Sequence, residues 1–81
     1  MKIYVVMGVT GYYDDREEWP VVAFAKRNDA QIRVLQAKER ADEICSQQHK
    51  RGVNMVNEYD PRMKMEYPGT TYYIMEVDLA E

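Results

Sequence analysis

Hydrophobic and polar residues alternate in the first and last segments of the chain. Met1 to Val9 is mostly apolar, β-branched or aromatic and is followed by Gly11, a pattern that predicts a strand entering a turn. Thr70 to Leu79 alternates strictly and predicts a strand at the end of the chain. Val21 to Lys26 predicts a short strand between them, with Pro20 at its start because proline cannot donate to a strand ladder.

The middle of the chain has helical spacing. Asn28 or Asp29 is a suitable N-cap, and apolar residues follow at intervals of three and four. These residues are Ala30, Val34, Ala37, Ala41 and Ile44, with Ile32, Leu35 and Cys45 widening the stripe. The helix is predicted from about Asp29 to about Lys50, with Gly52 just past its end. Residues 53–69 keep no period and are expected to form an ordered loop.

The order strand, strand, helix, strand predicts one α+β domain over residues 1–81. The economical arrangement is ββαβ: a three-stranded antiparallel sheet of order 2-1-3, with one long helix packed on one face. One helix covers only one face of such a sheet. We expect it to cover Ile3, Val5, Met7, Tyr73, Met75 and Val77, and to leave Tyr4, Val6, Tyr72 and Ile74 on the other face. That second face would meet a partner or be covered by loop 53–69.

Composition narrows the class of protein. At 81 residues, with 46% hydrophobic and 31% charged residues, the chain suits a small folded domain and contains no run long enough to span a membrane. A single cysteine and a single histidine disfavour a disulfide framework and a zinc site. The net charge of −3 disfavours binding to nucleic acid through its phosphates. We therefore expect a cytoplasmic protein without a metal or other cofactor.

Four carboxylates lie close together between the first two predicted strands. Asp14, Asp15, Glu17 and Glu18 predict an acidic hairpin tip. Three interpretations are open: a solvated tip, an electrostatic contact with a basic protein surface, or a divalent cation site, although the EF-hand order of ligands is missing. As partner-binding residues we select these four carboxylates, with Tyr4, Tyr72 and Ile74 for an apolar contact or a homodimer interface.

Catalytic candidates are few. Cys45 and His49 are one helical turn apart, but Cys45 falls in the apolar stripe and is expected to be a small buried hydrophobe. The glycines at positions 8 and 11 follow a strand, as in phosphate-binding loops, yet carboxylates follow them and would repel a phosphate. We therefore predict no catalytic residues and no enzyme activity.

Two segments of the chain resemble a family of short bacteriophage and prophage proteins. They are Lys2 to Val6 continuing through Thr10-Gly11 to Asp15-Arg16 and Glu18-Trp19, and the final stretch YDPRMKMEYPGTTYYIMEVDL. Together they span about half of the chain and contain no catalytic motif. The resemblance implies an accessory protein in an infected bacterial cell. Some such proteins inhibit host defence, including anti-CRISPR proteins that bind an effector complex directly.

The residues and the resemblance together predict a non-enzymatic inhibitor of a host defence complex. A CRISPR effector is the partner that the resemblance suggests, and occlusion by the acidic tip and the apolar sheet face is the expected mechanism. The alternatives are a small-ligand protein that binds a nucleotide signal, or a phage accessory homodimer.

Overall fold

The computed structural model describes residues 1–11, 16–47, 56–63 and 70–80. The described elements are β1 (Lys2–Thr10), β2 (Glu17–Phe24), α1 (Arg27–Gln47) and β3 (Thr71–Asp78). The strands form one antiparallel sheet of order β2-β1-β3. The predicted α+β class, the ββαβ order of elements and the 2-1-3 sheet are therefore confirmed.

The pairing of β1 with β3 is regular over its whole length. Its register runs without interruption from Lys2 opposite Asp78 to Val9 opposite Thr71. The same register continues past the strand ends, because the Leu79 amide donates to the Met1 carbonyl at 2.8 Å. Directly opposed residues of an antiparallel pair project from the same face. The register therefore fixes which β1 and β3 side chains share a face.

The pairing of β1 with β2 contains a bulge. Val6 lies opposite Val22, whereas Met7 lies opposite Pro20, so Val21 is the extra residue on β2. β2 begins at Glu17, four residues before the predicted start at Val21. Because β2 is an edge strand, its outer side needs no ladder partner, and both the proline and the two glutamates can be accommodated in it.

The helix begins at Arg27, two residues before the predicted start, and the Ala30 amide donates to the Lys26 carbonyl at 3.3 Å. Asp29 therefore lies in the first turn, where the helix dipole favours a carboxylate. The predicted end at Lys50 and the predicted Gly52 cap lie outside the described residues.

The helix contacts the sheet through a narrow stripe of small side chains. Its buried apolar residues are Ala30, Ala37, Ala41 and Ile44. Ile32 and Leu35 are exposed, so the prediction that they widen the buried stripe was wrong. Alanines at the contact let the helix lie close to the sheet, which turns its flanking residues towards solvent. Over the part of the chain that the structure describes, no helix combines the length and the apolar character needed to cross a membrane.

Candidate functional site

The helix covers the β1 face that carries Tyr4, Val6, Gly8 and Thr10, here called the covered face. Val6, Gly8 and Thr10 are all buried. Phe24 lies opposite Tyr4, and the Arg33 guanidinium from the helix lies over the Phe24 ring at 5.5 Å. Our prediction that the helix covers the other face was therefore wrong.

The residues selected for an apolar contact belong to this covered face. Ile74 lies opposite Val6, and Tyr72 lies opposite Gly8. Tyr4, Tyr72 and Ile74 are each only partly accessible. β1 is apolar on both sides, so its pattern alone does not say which side the helix covers. Contacts made by Trp19 and by residues 56–63 decide it.

Trp19 packs against a glycine on the covered face. Gly8 and Trp19 are directly opposed, and a Cβ atom on Gly8 would lie 2.5 Å from Cε2 of the indole ring and 2.7 Å from Nε1. Trp19 is 8% exposed. The missing side chain at Gly8 therefore makes the space that the indole occupies.

The indole is held in place by a buried polar network that the sequence analysis missed. Trp19 Nε1 donates to both carboxylate oxygens of Asp60, at 3.1 and 3.0 Å, and the Tyr72 hydroxyl donates to Oδ2 at 2.7 Å. The Arg62 amide donates to Oδ1 at 3.1 Å. Asp60 is 1% exposed, so its carboxylate relies on these donors in place of water. Burial, and then the adjacent carboxylate, raise the pKa of the Tyr72 hydroxyl well above its usual range.

Asn57 connects the same network to the helix. Its side-chain amide donates to the Ala37 carbonyl at 3.2 Å and to the Tyr72 hydroxyl at 3.5 Å, while its oxygen accepts from the Tyr59 amide at 3.0 Å. Residues 56–63 are thus fixed to both the helix and the sheet. The predicted ordered loop is found in this described part, and residues 53–55 and 64–69 lie outside it. The Asp60-Pro61 turn was the signal in the sequence that could have indicated this anchor.

The opposite side of the sheet, here called the open face, is apolar. Along β1 and the residue before it lie Met1, Ile3, Val5, Met7 and Val9. Opposite them, along β3 and the residue after it, lie Leu79, Val77, Met75, Tyr73 and Thr71. None of these ten residues is classed as buried, and Met75 is 41% exposed. β2 adds Ala23, which lies opposite Val5 and is exposed.

Among the described residues, the charged side chains of the open face lie at one end of it. None of its ten β1 and β3 side chains is ionisable at neutral pH. At the end of β2 the Glu18 carboxylate accepts hydrogen bonds from Arg16 at 3.2 Å and from the Tyr73 hydroxyl at 3.1 Å. Burial and then this carboxylate raise the pKa of Tyr73. The open face therefore offers hydrophobic area and little electrostatic selectivity.

The predicted acidic tip is described only in part. Asp14 and Asp15 lie outside the described residues. Glu17 lies opposite Thr10 and Glu18 lies opposite Val9, so these two glutamates project from opposite faces of the sheet. In the described part of the hairpin, the two carboxylates therefore do not form a single acidic surface.

A shallow pocket of about 240 Å³ lies between the helix and residues 56–63. It is lined by Gln36, Glu39, Arg40, Glu43, Glu58 and Tyr59. Arg40 forms ion pairs with Glu43 at 2.8 Å and with Glu58 at 3.3 Å, and its hydrogen bond to Glu43 is the main cause that raises its pKa. Within the described residues no three histidine, cysteine, aspartate or glutamate side chains are grouped as a metal site would require. The pocket therefore consists of surface ion pairs.

Comparison with known proteins does not extend this description. No protein-family model, no curated protein and no solved structure matches the chain. The resemblance to short bacteriophage proteins therefore stays a prediction from the sequence. The functional interpretation rests on the geometry of the open face.

Proposed function

We propose that this protein acts by binding another protein, with the open face of its sheet as the main contact surface, and that it has no catalytic activity of its own. The single observation that supports the proposal is the row of apolar and aromatic positions that runs along the sheet from Met1 and Leu79 to Val9, with Thr71 as a polar residue at its end. Soluble proteins rarely leave a large apolar patch without a role in binding.

The size of the open face suits a binding surface. A sheet of three strands, about 30 Å long and about 14 Å wide, has a plan area of roughly 400 Å². Patches of about 300–600 Å² are the largest that typical monomers expose, and they are often functional. Side chains that stand on the sheet add to that plan area. The open face is therefore large enough to form the centre of an interface.

Two groups of polar side chains that could serve catalysis are paired within the part of the chain that the structure describes. The carboxylate of Asp60, which is 1% exposed, accepts from Trp19, Tyr72 and the Arg62 amide. In the surface pocket, Arg40 is paired with Glu43 and Glu58. These pairings support a protein that acts by association.

The biological target is proposed from the resemblance. Some short bacteriophage proteins inhibit host defence, including anti-CRISPR proteins that bind an effector complex directly, and a CRISPR effector is the target we propose. Asp14, Asp15, Glu17 and Glu18 would supply the carboxylates for a basic surface of that complex. The open face supplies the apolar part of the contact.

The proposal is tested with a charge placed in the open face. Met75 lies in the middle of β3 and is exposed, so Met75→Glu is expected to fold. The matched control is Leu35→Glu, because Leu35 is 71% exposed and lies on the helix. Tagged wild-type protein and both variants are incubated with bacterial lysate, and proteins retained in amounts comparable to the bait are quantified by mass spectrometry.

We expect Met75→Glu to lose at least 90% of the retained protein and Leu35→Glu to keep it. Equal retention by wild type and Met75→Glu would refute the use of the open face. Circular dichroism of each variant provides a second measurement. Measured at a low protein concentration of about 5 μM, a melting temperature that falls by more than about 10 °C in Met75→Glu alone would show that the chain's own segments cover the face, and would also overturn the proposal.

A further inference from the structure

We propose that the protein that docks on the open face is a second copy of this chain. The inference rests on the proposed function, since it names the partner for the same surface. The two sheets would pack face to face about 10 Å apart, and the two helices would lie on the outside. The product is a four-layer dimer with the order helix, sheet, sheet, helix.

The composition of the open face suits self-association. A two-fold axis places the same surface patch on both sides of the interface, so a patch with one sign of charge would repel itself. The ten β1 and β3 positions of the open face carry no ionisable side chain at neutral pH. Homodimer interfaces are more apolar than other protein interfaces, and the open face is mostly apolar.

The charged side chains at one end of this face, Glu18 and its ion-pair partner Arg16, favour a particular orientation of the two copies. Glu18 lies at the end of the face where Val9 and Thr71 are opposed. A two-fold axis perpendicular to the strands places the two Glu18 carboxylates at opposite ends of the interface, roughly 30 Å apart for strands of this length. An axis along the strands would bring them together. We therefore assign the perpendicular axis.

The hydrophobic core of a single chain is small, so burial of the open face against a second copy would stabilise the fold. Among the described residues, the buried apolar set is Val6, Trp19, Ala30, Ala37, Ala41 and Ile44, of which three are alanines. Small domains have little buried area with which to offset the loss of chain entropy. Docking two open faces would add a second apolar layer to the one under the helix.

The area of the interface indicates a reversible dimer. Two plan areas of roughly 400 Å² give about 800 Å² in total, before the side chains are counted. This value lies below the roughly 1,200–2,000 Å² that stable, specific interfaces bury and in the range of weak, transient contacts. Mass action therefore predicts that the fraction of dimer depends on protein concentration.

Val5 is the position that tests this arrangement most directly. It is the central member of the β1 row on the open face and lies opposite Met75, the central member of the β3 row. Near a two-fold axis, the same residue from each copy is close to its equivalent. Two Val5→Glu chains would therefore repel each other, as would two Val5→Lys chains, whereas a mixture of the two would attract.

The experiment is sedimentation velocity on the full chain between roughly 5 and 500 μM. We expect wild type and the helix control Leu35→Glu to shift from monomer to dimer. Val5→Glu and Val5→Lys alone should remain monomeric, and an equimolar mixture should recover the dimer. If either Val5 variant fails to fold by circular dichroism, Met75→Glu and Met75→Lys replace the pair, because Met75 is more than one-third exposed.

The outcomes separate this inference from the proposed function. A wild-type chain that stays monomeric at 500 μM overturns the dimer, while loss of lysate partners in Met75→Glu would still support the open face. A dimer that persists in both Val5 variants overturns the open face as the interface. If Val5→Glu alone and Val5→Lys alone each form dimers as stable as the dimer of their mixture, the two-fold arrangement is overturned.

Discussion

Replacing Gly8 with alanine is the sharpest test of how the covered face is built. The added Cβ atom would lie 2.5 Å from Cε2, 2.7 Å from Cζ2 and 2.7 Å from Nε1 of Trp19. Carbon atoms in contact prefer about 3.5–4.0 Å. The indole must therefore move, and its bifurcated hydrogen bond to the two Asp60 carboxylate oxygens is weakened.

Three contributions set the size of the effect. Weakening a hydrogen bond to a charged group costs about 1.5–3 kcal/mol, and overpacking a filled site costs about 1–3 kcal/mol. Against these, alanine is more favourable than glycine within a strand by about 0.5–1 kcal/mol. We expect Gly8→Ala to lower the free energy of unfolding by about 3 kcal/mol. For a domain of this size, that loss lowers the melting temperature by roughly 12–24 °C.

The assay is urea unfolding followed by far-ultraviolet circular dichroism, at one fixed protein concentration. The matched background is Trp19→Val, in which the clash with Gly8 is absent. There, Gly8→Ala should change the free energy of unfolding by less than about 1 kcal/mol, so the double-mutant cycle should give a coupling of at least about 2 kcal/mol. A Gly8→Ala protein as stable as wild type, or an equal cost in both backgrounds, would refute the reasoning.

Two further predictions concern the polar network behind the indole. Asp60→Asn should lower the free energy of unfolding by about 2 kcal/mol, because the new amide group places a donor where three donors converge. The control Asp42→Asn, at an exposed ion pair, should change the free energy of unfolding by less than about 0.5 kcal/mol. Equal effects of the two substitutions in urea unfolding would contradict the structural role of Asp60. The folded-state pKa of Tyr72 is raised, so its contribution to stability is fully present below the unfolded tyrosine pKa of about 10 and is lost as pH rises above it. When the free energy of unfolding is measured from pH 8 to 11.5, it should therefore fall less steeply above pH 10 in Tyr72→Phe than in wild type. The control Tyr73→Phe should change this pH dependence less. Parallel curves for Tyr72→Phe and wild type would contradict the effect assigned to the buried Tyr72 hydroxyl.

The sequence was sufficient for the fold because each element had a local signal. The apolar alternation of Thr70 to Leu79 predicted β3, described as Thr71–Asp78, and the spacing from Ala30 to Ile44 predicted the helix. The start of β2 was missed because Glu17 and Glu18 read as a solvated loop. An edge strand tolerates such residues, and edge position is a property of the sheet that local sequence does not specify.

The side of the sheet that the helix covers was decided by tertiary structure. β1 is apolar on both sides, so the sequence established that one apolar face would remain outside the helix layer but left its identity open. The covered face was selected by contacts between residues far apart in the chain: the indole of Trp19 over Gly8, and the Asp60 carboxylate that accepts from Trp19 and Tyr72. The local period of a strand shows only that its side chains alternate between two faces. When both faces are apolar, the face that the helix covers depends on long-range packing and on the hydrogen-bond donors that surround a buried carboxylate.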